Sequence, residues 1–175
     1  MLKYLGCLMV LAGCSGIGWY FSGLAKKRIR VIEELEGLLQ RLYGEIEYAA
    51  SDIPEIFRLM EKESVYFKGF WESISTQMEE GHSARLWEIW REELSRKEMH
   101  RKSIRFLGQE ELFILQEIGR SLGLTDRNSQ LHTLALYQER LHKVLERVEQ
   151  EYHGQAKVCR VAGVTAGCFL VIVLF

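Results

Sequence analysis

Apolar and polar residues alternate along the middle of the chain with the period of amphipathic helices. The stretch from about Arg30 to Ala50 is the clearest example, because its apolar residues recur at steps of three and four and form one stripe. The stripe consists of Ile32, Leu35, Leu39, Leu42 and Ile46. It predicts a first helix that buries one face against its neighbours.

The same spacing predicts five further helices. Asp52 is the expected cap of a short second helix, with Pro54 in its first turn and Glu55 at capping-box spacing. Gly81 and Gly123 are expected to end the third and fifth helices. Ser83 should cap the fourth helix, and Thr125 or Asp126 a long sixth helix that runs on toward the end of the chain. Expected core positions of the last four helices are Phe67, Phe70, Trp71, Ile74, Met78, Leu86, Trp90, Leu94, Leu112, Leu115, Ile118, Leu122, Leu131, Leu134, Tyr137, Leu141, Val144 and Val148.

Both ends of the chain are apolar rather than amphipathic. The 22 residues from Tyr4 to Ala25 carry no charge; as a helix they measure about 33 Å, enough for a bilayer core of about 30 Å. Val161 to Phe175 is also uncharged, but at about 22 Å it is short for a span. Snorkelling of Lys157 and Arg160 adds reach. The alternative is a terminal segment that lies in the membrane interface or against a partner.

Basic residues flank both apolar ends on the side of the central domain. They are Lys26, Lys27, Arg28 and Arg30 after the first segment, and Lys157 and Arg160 before the second. Because cationic flanks stay cytoplasmic, the domain should lie in the cytoplasm and both termini outside. The predicted architecture is therefore all-α: a six-helix bundle at residues 26–158, flanked by transmembrane helices at residues 1–25 and 159–175.

A second interpretation of the first segment is a lipoprotein signal. Leu11-Ala12-Gly13-Cys14 matches a bacterial lipobox, in which the cysteine would be lipidated and the domain would lie on the outer surface. The protein would then be a tethered structural or binding module. The chain stays apolar after Cys14 and then becomes basic, which disfavours translocation and hence this interpretation.

Small residues line the first apolar segment at helical spacing. Cys14, Gly18 and Ser22 recur every four positions, and Ala12 and Gly16 form a second pair. Such stripes let helices approach closely in lipid, so these positions are predicted to pack membrane helices. The alternative is that small residues are simply common in membrane spans.

One central stretch is strongly basic. Between Arg96 and Arg105 the basic residues are Arg96, Lys97, Arg101, Lys102 and Arg105, against a single acid, Glu98. A run of this kind is typical of a solvated linker or helix end. It could also face lipid headgroups or an acidic partner. We refer to these five residues as the basic patch.

Composition adds no sign of catalysis or of nucleic-acid binding. The chain has 23 Lys and Arg against 24 Asp and Glu, without the excess of positive charge that nucleic acid attracts. The cysteines lie in or beside the apolar ends, without CxxC or zinc spacing. HExxH, phosphate-loop and GxSxG motifs are absent. We expect no enzyme activity, cofactor or metal; a small enzyme with an unrecognised site is a third hypothesis.

Three groups of residues resemble the stage III sporulation protein AB family of endospore-forming bacteria. The first is Met1-Leu-Lys-Tyr-Leu-Gly6 with Gly16-Ile-Gly18. The second is Leu42-Tyr-Gly-Glu45-Ile46-Glu-Tyr48, followed by Ile53-Pro54-Glu55. The third is a Gly-x-x-Leu-Gly-x-x-Asp-x-x-x-Gln signature at Gly119, Leu122, Gly123, Asp126 and Gln130. Cys14 departs from the family pattern, because it completes a lipobox that the family does not need.

The resemblance implies more than the residues show by themselves. The family belongs to a secretion-like complex between mother cell and forespore, which supports late forespore development. Its helical domain looks like the cytoplasmic domain of the inner-membrane platform protein of type II secretion. A cytosolic ATPase, stage III sporulation protein AA, is the implied partner, together with other membrane and ring-forming proteins. The implied location is the mother-cell membrane that surrounds the forespore.

Overall fold

The computed structural model of the chain describes residues 2–49, 52–80, 86–96, 104–124 and 126–174. Side chains are described within residues 23–48, 52–80, 86–96, 104–122 and 126–152 and at residue 154. In these ranges the backbone forms six α-helices and no strand, which confirms the predicted all-α fold.

The helices follow the order that the apolar stripes predict. Their bounds are α1 Leu2–Gly44, α2 Ile53–Glu63, α3 Lys68–Glu79, α4 Leu86–Ser95, α5 Gln109–Leu124 and α6 Arg127–Leu174. A π-helical turn at Glu45–Ala49 follows α1, and a 3-10 turn at Ile104–Phe106 precedes α5.

The chain divides into two compact units. One consists of Arg30–Leu145 and contains all of α2 to α5. The other consists of Met1–Ile29 and Glu146–Phe175, and so of the helical segments at the two ends of the chain.

The predicted membrane segments fall largely on residues whose side chains lie outside the described part of the chain. Among the residues that are described, no helix is both long enough and apolar enough to cross a membrane.

The core of the Arg30–Leu145 unit is built from the predicted stripes. The first stripe is buried throughout, with exposures of 0% on α1 and 8% at Ile46 in the π-helical turn. On α5, Leu115, Ile118 and Leu122 are buried as well, whereas Leu112 is half-buried. On α6, Leu134, Leu141 and Val144 are buried, whereas Leu131 and Tyr137 are half-buried.

Aromatic side chains from three helices meet at the centre of this core. Phe57 on α2, Phe70 and Trp71 on α3 and Trp90 on α4 are all fully buried. The closest ring pairs, Phe70 with Trp71 and Phe70 with Trp90, are edge to face with centroids 4.9 Å apart. This geometry is favourable for aromatic rings beyond the area they bury, so the cluster holds α2, α3 and α4 together. The row of Trp and Phe is therefore core.

Several helix ends differ from their prediction. The first helix begins at Leu2, far before Arg30, and ends in a π-helical turn. Asp52 precedes α2 as expected and its backbone carbonyl accepts the first helical bonds, but its side chain makes no capping bond. Gly123 lies inside α5, which continues to Leu124. Gly81, Ser83 and Thr125 lie outside the described residues.

Candidate functional site

Gly119, the first residue of the family-like signature, lies where α5 packs against α4. A Cβ atom at this position would collide with the indole ring of Trp90. The indole nitrogen donates a 3.0 Å hydrogen bond to the carbonyl oxygen of Leu115, one turn earlier on α5. Glycine is thus needed here because a buried tryptophan lies directly on the helix backbone. Leu122, the second signature residue, is buried in the same helix.

Asp126 precedes α6, and Gln130 lies in the first turns of that helix. The Asp126 carboxylate accepts hydrogen bonds from the Ser129 hydroxyl at 2.6 Å and the Ser129 backbone amide at 3.3 Å. The bond from the Ser129 hydroxyl, and to a smaller extent the bond from the Ser129 amide, hold the pKa of Asp126 below its usual value. Asp126 is therefore the N-cap of α6, as predicted. The Gln130 side chain donates to the carbonyl of Leu122 at 3.2 Å and so ties the two helices.

Arg127 connects the third family-like motif, in which it lies, to the second. Its guanidinium donates to the carbonyl oxygen of Ile46 at 2.9 Å and to the carbonyl oxygen of Glu47. Both carbonyls belong to the π-helical turn, where helical partners for backbone oxygens run out. Sequence reasoning missed Arg127, because it occupies a variable position of the signature and its acceptors are about 80 residues earlier in the chain.

The π-helical turn presents a tyrosine to solvent. Tyr48 is 82% exposed. Tyr48 makes a hydrogen bond to the Glu47 side chain, and this bond is the main reason why the pKa of Tyr48 is above its usual value. The second family-like motif therefore contains a buried apolar residue, Ile46, and an exposed tyrosine, Tyr48.

Glu34 fixes the connection between α2 and α3. One carboxylate oxygen of Glu34 accepts hydrogen bonds from the backbone amides of Val65, Tyr66 and Phe67, at 2.8 to 3.1 Å. The amides precede the first turn of α3, where donors lack helical partners. Glu34 thus acts as a cap from a distant part of the sequence, a role that the stripe on α1 did not indicate.

The basic patch is only partly described. Arg96 pairs with the buried carboxylate of Glu93 at 2.8 Å and donates to the hydroxyl of Ser73 at 3.2 Å. Gln77 donates to the same Glu93 at 3.0 Å, so Arg96 is tied to α3 as well as α4. The guanidinium of Arg105 lies 4.5 Å from the ring centre of Phe106. Lys97, Arg101 and Lys102 lie outside the described residues.

The predicted membrane-packing residues have no described side chains. They are Ala12, Cys14, Gly16, Gly18 and Ser22, all on α1. Gly123 belongs to the backbone of α5, but its surroundings are likewise outside the described part. Among the residues that are described, no group of three or more His, Cys, Asp and Glu side chains is placed to hold a metal ion.

Comparison with known proteins agrees with the resemblance. The profile of the family described as stage III sporulation protein AB matches residues 3–175. Stage III sporulation protein AB of Bacillus subtilis (strain 168) is 27% identical over 180 aligned residues, covering 99% of both chains. A solved structure of a stage III sporulation protein AB is similar in fold, with a TM-score of 0.63 and 24% identity, over 73% of this chain and 97% of the other. Because the family profile extends over nearly the whole sequence, the chain belongs to the stage III sporulation protein AB family.

Proposed function

We propose that this chain is a non-catalytic adaptor in the third stage of endospore formation, coupling a cytosolic ATPase to a membrane complex between mother cell and forespore. The observation that carries the proposal is the match to stage III sporulation protein AB over 99% of both chains. The proposed ATPase is of the stage III sporulation protein AA type. The proposed complex is secretion-like and includes other membrane and ring-forming proteins.

The described contacts suit a part that transmits force. An adaptor of this kind has to keep its helices in fixed positions while a partner pushes on one of them. Arg127 joins the start of α6 to the end of α1, and Glu34 joins α1 to the start of α3. Trp90 ties α4 to α5. The ties of Arg127 and Glu34 link helices that are distant in sequence, and the Trp90 tie links two consecutive helices, so a load on one helix would pass to its neighbours.

The proposed anchors are the two uncharged ends, residues 1–25 and 159–175. Their support is the sequence: a charge-free stretch at each end and basic residues on the domain side of both. In this arrangement the helical domain lies in the cytoplasm, where the ATPase can reach it, and the basic patch can contact lipid headgroups or an acidic partner.

Sidedness is tested by cysteine labelling in protoplasts of growing cells that express the chain, in which the outer face of the cell membrane is open to the reagent. The four native cysteines are replaced by serine, and Ser95→Cys places one thiol at the exposed end of α4. A membrane-impermeant maleimide should label it only after the membrane is disrupted, whereas Leu2→Cys, the matched control, should label in intact protoplasts. Full labelling of Ser95→Cys in intact protoplasts would favour the lipoprotein alternative and rule out a cytosolic ATPase as partner.

The coupling itself is tested by binding. The full-length chain, kept in solution with a mild detergent, should retain the purified stage III sporulation protein AA-type ATPase at low salt. An unrelated ATPase of the same size class is the control. Failure to bind at any salt concentration would remove the coupling role, while leaving the family assignment in place.

The role in sporulation is tested with a matched pair of variants. Arg127→Ala and Asn128→Ala both shorten an exposed side chain in the first turn of α6, but only Arg127 is bonded to the π-helical turn. Arg127→Ala should lower the yield of heat-resistant spores, and Asn128→Ala should not. Equal yields from both variants would mean that the tie between α1 and α6 is dispensable for the function.

A further inference from the structure

We propose that a surface on α5 and α6 is an interface that pairs two copies of this chain about a two-fold axis. The surface, here the aromatic patch, consists of Glu110, Phe113, Leu136, Tyr137 and Arg140. Phe113 is 44% exposed and Leu136 is 55% exposed. Exposed large apolar residues that lie together mark interaction surfaces. The proposal is independent of the adaptor role.

Contacts within one chain connect the residues of the patch. The rings of Phe113 and Tyr137 meet edge to face with centroids 6.4 Å apart. The guanidinium of Arg140 lies 5.5 Å from the ring centre of Phe113 and pairs with Glu110 at 3.2 Å. Leu136 is one turn before Arg140 on α6, and so on the same side of that helix. Aromatic rings and arginine at the centre of a surface are the groups that carry most binding energy at interfaces.

The charges of the patch point to a second copy as the occupant. The apolar centre is flanked by one acid and one base, Glu110 and Arg140, so the patch has no excess of either sign. A partner with a strongly charged face would gain little here. A two-fold interface, in contrast, requires a surface that complements itself. In a pair, each Arg140 can contact Glu110 of the second copy while the exposed apolar groups cover one another.

Cross-linking of the full-length chain tests the pairing. In the background without native cysteines, Leu136→Cys is compared with Val65→Cys, which lies in the connection between α2 and α3 and replaces a residue that is 80% exposed. A short, flexible bismaleimide should join Leu136→Cys chains into dimers about tenfold more efficiently, since interface positions are close and the control position is not. Equal yields from both variants, or no dimer from either, would overturn the proposal.

Charge reversal distinguishes a contact between chains from the pair within one chain. Glu110→Arg and Arg140→Glu, each added to Leu136→Cys, should each lower the dimer yield about tenfold, because like charges would face one another. An equimolar mixture of the two chains should recover the yield, since each patch then meets its opposite. The pair within each chain stays broken in that mixture. If mixing does not restore the dimer yield, Glu110 and Arg140 pair only within one chain and the proposed interface is wrong. Thermal unfolding of each variant confirms that it folds.

Discussion

At Gly119 the space for one methyl group is already taken by the Trp90 indole. Gly119→Ala is expected to lower the free energy of unfolding by about 1–3 kcal/mol, the usual cost of overpacking a core. Thermal unfolding of the full-length chain, followed by circular dichroism, measures the change. Gly69→Ala on α3 is the control, because a Cβ there meets no atom within 4 Å. It should raise stability by about 0.5–1 kcal/mol. Destabilisation of both variants to the same extent would contradict the packing argument.

Glu34 concentrates several backbone bonds on one side chain. Glu34→Ala leaves the amides of Val65, Tyr66 and Phe67 without this acceptor. We expect a loss of about 1–3 kcal/mol in the free energy of unfolding, and faster hydrogen exchange at residues 65–67. Glu33→Ala removes an equal charge from an exposed neighbouring position and should change stability by less than about 0.5 kcal/mol. Unchanged exchange at residues 65–67 in the Glu34 variant would refute this role.

Residue roles were harder to predict than residue positions. The signature around Gly119 was visible in the sequence, but the reason for the glycine depends on Trp90, which approaches from another helix. Arg127 and Glu34 act on backbone groups that are distant in sequence, at separations of 81 and about 32 residues. No local spacing encodes such a bond, so sequence reasoning found neither residue.

At the scale of helices, Asp126 supplies a pH-dependent start for α6. Bonds from Ser129 depress the pKa of Asp126 in the folded chain, so its stabilising effect is complete above the unfolded pKa of about 3.9. The effect is lost as the pH falls through the lower, folded pKa. The stability difference between the native chain and Asp126→Asn should therefore be constant from about pH 7 to pH 5 and shrink below about pH 4. A difference that does not change down to pH 2 would show that the carboxylate charge is not involved.

Helices themselves were well predicted because their signal is local. A stripe such as Ile32 to Ile46 needs only its own spacing to indicate a helix and its buried face, and the stripe is buried as expected. The π-helical turn at Glu45–Ala49 carries no such signal, since its carbonyl groups depend on Arg127. The fifth helix was expected to stop at Gly123, after Leu122, but α5 continues to Leu124, and an error of this size is a common limit of helix-end prediction.

At the scale of the whole molecule, the two hypotheses for the basic patch lead to different binding behaviour. A solvated linker would leave the domain indifferent to anionic surfaces. A patch that faces lipid headgroups would contribute about 1 kcal/mol per basic residue near the membrane. Arg96 is already tied to Glu93 and Ser73, and Arg105 lies over the Phe106 ring. The residues to test are therefore Lys97, Arg101 and Lys102.

A fragment without the apolar ends, residues 27–158, allows vesicle binding to be measured. Neutralising Lys97, Arg101 and Lys102 to Gln should weaken its binding to vesicles of anionic phospholipid by up to about 100-fold at low salt. The loss should fade at high salt, where charges are screened within about 3 Å at 1 M.

A control in which Lys62, Arg91 and Arg120 become Gln has the same net charge and should bind nearly as well as the unmodified fragment. Equal losses in both variants would mean that binding follows net charge alone. No loss from neutralising Lys97, Arg101 and Lys102 would assign them to a solvated linker, and the membrane-facing role of the patch would then be wrong.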